Sequence, residues 1–147
     1  KQVQLDTREK RKWTRETFMG AINTSNPKWG RVADQLFTHA DEQGWSCWHG
    51  SGRKYGSTYF YCRNGQWPML FGIWTDGAFH GGWANHQTHQ GDQRWRPLID
   101  FFIELDPSLE QTDSTFSNLS FDELLNEDVL ANLLSVATAV ENSFSDD

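Results

Sequence analysis

None of the 147 residues of this chain belongs to an apolar run of about 18 or longer, and no short apolar stretch follows a basic leader. The expectation is a soluble, cytoplasmic protein without membrane contact. The chain starts at Lys1 rather than Met, which sets the expectation of a domain cut from a larger protein. Cysteine is scarce, with Cys47 and Cys62 alone, both in segments that read as strands. Their spacing gives no disulfide framework, so buried free thiols are expected. Basic residues are missing from the last third. All 13 Lys and Arg fall within residues 1–97, against eight acids, giving that part +5; residues 98–147 hold twelve acids and no base, giving −12 and a net of −7. Such segregation lets one surface attract anions while another repels them, or lets the two parts attract each other. The plainer alternative is an acidic helical tail that keeps a Trp-rich domain dissolved.

Catalytic and metal motifs are missing too. Cys47, Cys62, His80, His86 and His89 match no zinc-ligand spacing, so no metal and no cofactor are expected. No nucleophile elbow and no paired carboxylates stand out. The loop Gly50-Ser-Gly-Arg-Lys-Tyr-Gly56 lacks the Gly-Lys-Ser/Thr ending of a phosphate loop. It also leads into a strand, where no helix N-terminus offers a row of free amides to a pyrophosphate. What remains is a basic hairpin loop bearing Arg53, Lys54 and Tyr55.

What is present concentrates between Trp45 and Asn85, a stretch rich in aromatics and glycines that contains both cysteines. Asn64-Gly65 and Asp76-Gly77 tolerate the backbone angles of two-residue turns, so the flanking β-branched and aromatic runs predict strands. Around them the expected class is α+β: a four-stranded antiparallel meander flanked by N-terminal and C-terminal helices. Residues 1–12 read as a basic linker or arm and 13–147 as one domain. Helices are predicted over Thr14–Ile22, over Trp29 up to Gly44, over Gln93–Leu105 and over Asp128–Phe144. A capping box from Ser120 to Glu123 is expected to open a short helix.

Two-residue turns would pair Cys62 with Trp67, Phe60 with Met69 and Thr58 with Phe71, then Trp74 with Phe79, Ile73 with His80 and Gly72 with Gly81. Alternation then gives two faces. One holds Phe60, Cys62, Trp67, Met69, Phe71, Ile73 and His80. The other holds Tyr59, Tyr61, Arg63, Leu70, Trp74, Phe79 and Trp83, with the Gly72–Gly81 pair leaving a slot for a planar group. The candidate ligand-binding residues are therefore Arg53, Lys54, Tyr59, Tyr61, Arg63, Trp74 and Trp83, suited to stacking and charge contact with the bases of single-stranded or flipped nucleic acid. The plainer alternative, favoured at this point, is that a helix covers this face and the glycines admit its backbone.

The segments Trp48-His-Gly-Ser-Gly-Arg-Lys-Tyr-Gly-Ser57, Leu70-Phe-Gly-Ile-Trp-Thr-Asp-Gly77 and Arg96-Pro-Leu-Ile-Asp-Phe-Phe-Ile-Glu-Leu105 resemble a poorly characterised prokaryotic α+β accessory domain. Its pattern is a Trp-Gly-x-Gly-x-x-x-Gly-Ser loop, a Leu-Phe-x-Ile-Trp-Thr-x-Gly hairpin and following helices, and the likeness runs from about Trp13 to Phe144. His49 stands where that pattern has Gly. The resemblance implies a domain of restriction-like or phage-defence-like proteins, with no catalytic residues to carry over. The resulting expectation is a non-catalytic recognition or interaction module of a larger prokaryotic protein, binding nucleic acid or a nucleotide-like ligand. The alternative is a structural or dimerisation domain whose acidic part meets a basic partner. A small enzyme using Arg53, Lys54 and His80 is the third class.

Overall fold

A computed structural model of the chain describes residues 12–63, 69–81, 93–107 and 119–145. Helix α1, Arg15–Ser25, begins at Thr14, whose hydroxyl accepts the Thr17 amide hydrogen. Helix α2, Pro27–Gln43, is capped by Asn26, which accepts from the Lys28 amide at 2.9 Å, and Pro27 supplies the fixed backbone angle its first turn needs. Gly44 ends α2 at φ 77°, the left-handed conformation in which a β-carbon is costly, and its N–H reaches back to the Ala40 and Asp41 carbonyls. The stripe Val32, Ala33, Leu36, Phe37 and Ala40 is buried, as its spacing predicts.

The sheet has five strands in chain order, all antiparallel: β1 (Trp45–His49), β2 (Ser57–Arg63), β3 (Met69–Trp74), β4 (Ala78–Gly81) and β5 (Leu119–Ser120). The α+β class and the meander stand, with a fifth strand added. A two-residue strand shows no periodicity, which is why its segment reads as a connection. A 3-10 turn over Gln93–Trp95 leads into α3, Arg96–Leu105, and a second over Phe121–Leu125 leads into α4, Glu127–Ser145. Ser120 caps the second turn by accepting from the Asp122 amide at 3.0 Å.

Both predicted registers require correction. The β3–β4 connection is a three-residue loop, Thr75-Asp76-Gly77, rather than a two-residue turn. The Gly77 amide donates to the Trp74 carbonyl at 3.0 Å, Gly77 sits at φ 93°, and Asp76 accepts from the Ala78 amide at 3.1 Å. One extra loop residue slips the pairing by one and reverses β4: Ile73 faces Phe79, Gly72 faces His80, and Phe71 faces Gly81. Phe79 therefore enters the core and His80 moves to the opposite face. In the β2–β3 pair, Phe60 faces Phe71 and Thr58 faces Ile73, a two-residue shift that leaves those side chains on their expected faces. An irregularity after Phe60, however, sets Met69 opposite Tyr61 and puts Leu70 in the core, the reverse of the expected faces for those two. The Asn64-Gly65 turn and Trp67 lie outside the described residues.

The core forms on one side of the sheet. Phe60 and Phe71 stack with ring centres 4.7 Å apart, Phe37 of α2 meets Phe60 at 5.5 Å, and Phe102 of α3 meets Phe79 at 5.3 Å. Leu133, Ala137 and Val140 of α4 are fully buried within the same cluster. Each fully buried phenylalanine contributes roughly 1.5–3 kcal/mol of transfer free energy. No helix among the described residues is long and apolar enough to cross a membrane.

Candidate ligand-binding face

The opposite side of the sheet carries a second set of rings. Neighbouring positions of β1 to β4 place Trp48 against Tyr59 (ring centres 5.7 Å apart), Tyr59 against Trp74 (6.4 Å) and His80 (5.9 Å), and Trp74 against His80 (6.4 Å). Cross-strand aromatic neighbours on one face of a sheet hold one another by edge and offset contacts. Tyr59, Tyr61 and Trp74 are half-buried, while Trp48 is 55% exposed. The favoured expectation, a helix across this face, is not what α2 and α3 do: their rings meet the sheet on the Phe60–Phe79 side.

The expected slot between two glycines does not form. Gly72 faces His80 rather than Gly81, and the Tyr59 ring lies so close over Gly72 that an added β-carbon would come within 2.7 Å of it. The rings thus form a platform of tilted faces and edges, Tyr59 at 86° to Trp74 and 38° to Trp48, instead of flanking a cleft. A shallow groove of about 340 Å³ opens at its β1 side, lined by Ser46, Cys47, Trp48 and Tyr61. Sequence reasoning missed Trp48 and Ser46, because β1 was not assigned a register. The signal was there: Trp48 alternates with the buried Trp45 and half-buried Cys47 along a strand.

His80 is fixed in the platform. Its Nε2 accepts from the Trp74 indole N–H at 3.0 Å, so the proton sits on Nδ1, which donates to the Gly81 carbonyl at 3.2 Å. Burial pushes the imidazole pKa down, in keeping with a neutral ring. The lone pair that a general base needs is occupied by the indole. Burial likewise raises the Tyr59 phenol pKa, outweighing a hydrogen bond from Ser57, so the phenol stays neutral.

The other candidate residues separate from this platform. Arg53 and Lys54 are exposed on the Gly50–Gly56 loop, where the Lys54 ammonium lies 5.2 Å from the Tyr55 ring centre. That loop is tied down. Trp13 donates its indole N–H to the Gly52 carbonyl at 2.8 Å and lies on Gly56, where a β-carbon would meet its ring at 2.6 Å. Gly56 and Thr75 exchange two hydrogen bonds that link the loop to the β3–β4 turn. Its glycines therefore answer to packing, with Gly50 similarly crowded by Ser57.

Arg63 leaves the ring face. An irregularity between Trp45 and Ser46 sets Arg63 opposite the buried Trp45, and its guanidinium lies 3.5 Å from the fully buried carboxylate of Glu141 on α4. It also reaches the Gln43 carbonyl at 3.4 Å, joining the end of α2 to β2 and α4. Next to Glu141, burial and that carboxylate push the Cys62 thiol up to about 12, so Cys62 is an inert buried thiol. Trp83, His86 and His89 lie outside the described residues. Among the described residues no group of three His, Cys, Asp or Glu is placed to hold a metal ion.

A larger hollow of about 740 Å³ lies between α2 and α4, lined by Lys28, Arg31, Val32, Leu124, Leu130 and Leu134 among others. It contains no aromatic ring and no buried acid or base, so size alone recommends it. The ring face has the more specific chemistry. The chain matches no protein-family model, curated protein or solved structure with which it was compared.

Proposed function

We propose that this chain is a non-catalytic recognition module, and that its ring face takes the bases of a single-stranded nucleic acid or a nucleotide-like ligand. The observation that carries this reading is the linked set Trp48–Tyr59–Trp74 on the side of the sheet away from Phe37 and Phe102. Bases of any identity have a π-face, and stacking on aromatic side chains supplies about 1–3 kcal/mol per base. The engaged nitrogens of His80 speak against acid–base chemistry on this face. Arg53 and Lys54 supply exposed positive charge at the end of β1, where a phosphate chain leaving the platform would pass. The likeness to accessory domains of defence-type proteins supports a cytoplasmic, prokaryotic module that positions a larger protein on its target.

Titration with single-stranded oligonucleotides, followed by tryptophan fluorescence, tests this. Quenching is expected in the parent chain and in Trp95→Phe, whose ring is buried, and is expected to weaken at least fivefold in Trp48→Ala and Tyr59→Ala. Equal binding by all four proteins would remove the ring face from consideration.

A further inference from the structure

We infer that the outer edge of β1 pairs with β1 of a second copy of this chain, joining two sheets and their ring faces. This inference does not rest on the reading of the ring face, although in the pair Trp48 and the Arg53–Lys54 loop lie between the copies and leave Tyr59 and Trp74 to any ligand. The Gly50 amide donates to the Ser57 carbonyl at 2.9 Å, so Gly50, Trp48 and, by alternation, Ser46 turn their backbone groups toward β2. Cys47 and His49 therefore direct their N–H and C=O away from the sheet. Strand β1 is the terminal strand, and among the described residues nothing pairs with that side. An edge strand is ordinarily protected by charge, proline or a covering segment. The sequence Trp45-Ser-Cys-Trp-His49 has no Lys, Arg, Asp, Glu or Pro, and the charge set beside it, Arg15 next to the Cys47 side chain, is neutralised by Asp41.

The edge is also self-complementary. Antiparallel pairing about a two-fold at Cys47 sets Ser46 of each copy opposite Trp48 of the other. The groove of about 340 Å³ beside Ser46 and Tyr61 then receives the second indole, covering a side chain that is 55% exposed in the single chain. The same two-fold brings the segment before β1 toward the segment after it. Glu42, exposed at the end of α2, thereby approaches Arg53 and Lys54, exposed in the partner's loop, while Asp41 beside it is held by Arg15 at 2.8 Å. The half-buried Tyr59 and Trp74 lie outside this contact on both copies, so the two platforms adjoin. A contact built on one short strand, one indole and a few charges falls at the small end of protein interfaces, which makes the dimer reversible and concentration-dependent.

Sedimentation equilibrium across a wide concentration range, without nucleic acid, reads this directly. The parent chain is expected to pass from monomer to dimer, and Cys47→Pro is expected to remain monomeric. Proline at position 47 removes only an outward N–H, and circular dichroism checks that the variant is folded. A second readout does not depend on that variant. Residues opposite each other in a hydrogen-bonded antiparallel pair have α-carbons about 5.5 Å apart, within disulfide reach, so copper–phenanthroline oxidation should link Cys47 to Cys47. The link should persist in Cys62→Ser and vanish in Cys47→Ser. A chain that is monomeric throughout, a link that forms through Cys62, or a dimer that survives in folded Cys47→Pro would each overturn the inference.

Discussion

On one side of the sheet Phe60, Phe71 and Phe79 are fully buried, whereas on the other Tyr59, Tyr61 and Trp74 are half-buried and Trp48 is mostly exposed. Both sides are aromatic, so hydrophobicity alone does not separate them. The difference is in the atoms at the ring edges. The inner rings are mostly hydrocarbon and meet Phe37 of α2 and Phe102 of α3, with the buried Trp45 indole packed against Phe60 and Phe71. The outer rings carry hydroxyl or indole groups, and the Trp74 N–H is satisfied by His80 within the face itself. Within this face His80 is itself buried, and among the described residues Trp48 presents the most exposed ring to a ligand.

Substitutions separate the two sides by size of effect. Phe71→Ala should cost the most, about 3–5 kcal/mol in denaturant unfolding, because it empties the centre of the core. A cost below about 1 kcal/mol would mean that the inner face is not the one that holds the fold together. Arg63→Met should follow at about 2 kcal/mol, since it removes the positive charge that faces the buried Glu141 carboxylate at 3.5 Å while keeping the alkyl stem and the backbone N–H that donates to it. Trp48→Ala should change stability by no more than about 0.5 kcal/mol, as expected of an exposed side chain, while altering binding and assembly. A large loss of stability there would erase the distinction between the faces.

Acid provides a finer probe of the same contrast. The His80 imidazole has its pKa lowered in the folded chain by burial, so the unfolded chain binds the proton more readily. Its contribution is fully present above the ordinary histidine value, near about 6.5, and is lost as pH falls below it toward the lowered folded value. His39 and His49 are shifted the same way, again by burial first. The melting temperature should therefore drop between neutral pH and about pH 5, and the drop should be smaller in His80→Gln. An unchanged pH dependence in that variant would place His80 outside the group that senses acid.

Much of the fold was legible because periodicity and caps carry it. The Val32–Leu36–Phe37–Ala40 stripe and Gly44 announce α2, and the glycine turns announce the meander. The platform was legible in part. Tyr59 and Trp74 were found because β2 and β3 kept their facing, even though their register shifted by two. His80 and Phe79 changed places because Asp-Gly suits either a two-residue turn or the last two positions of a three-residue loop, and the residues alone do not distinguish these. Arg63 could not be assigned to the helix side from alternation, because the irregularity beside it depends on the β1 pairing and on the buried Glu141, 78 positions away. The glycines of the Gly50–Gly56 loop suggested a ligand. They are explained by Trp13, whose contact with Gly56 spans 43 positions and leaves no local pattern.

The most direct test compares binding of two oligonucleotides of equal length, one with bases and one abasic throughout, at the same ionic strength. Stacking on the ring face requires the abasic strand to bind at least about fivefold more weakly, as loss of one or more base contacts of about 1–3 kcal/mol demands. Equal affinity for the two strands would show that charge alone attracts the nucleic acid, and would contradict recognition by these rings.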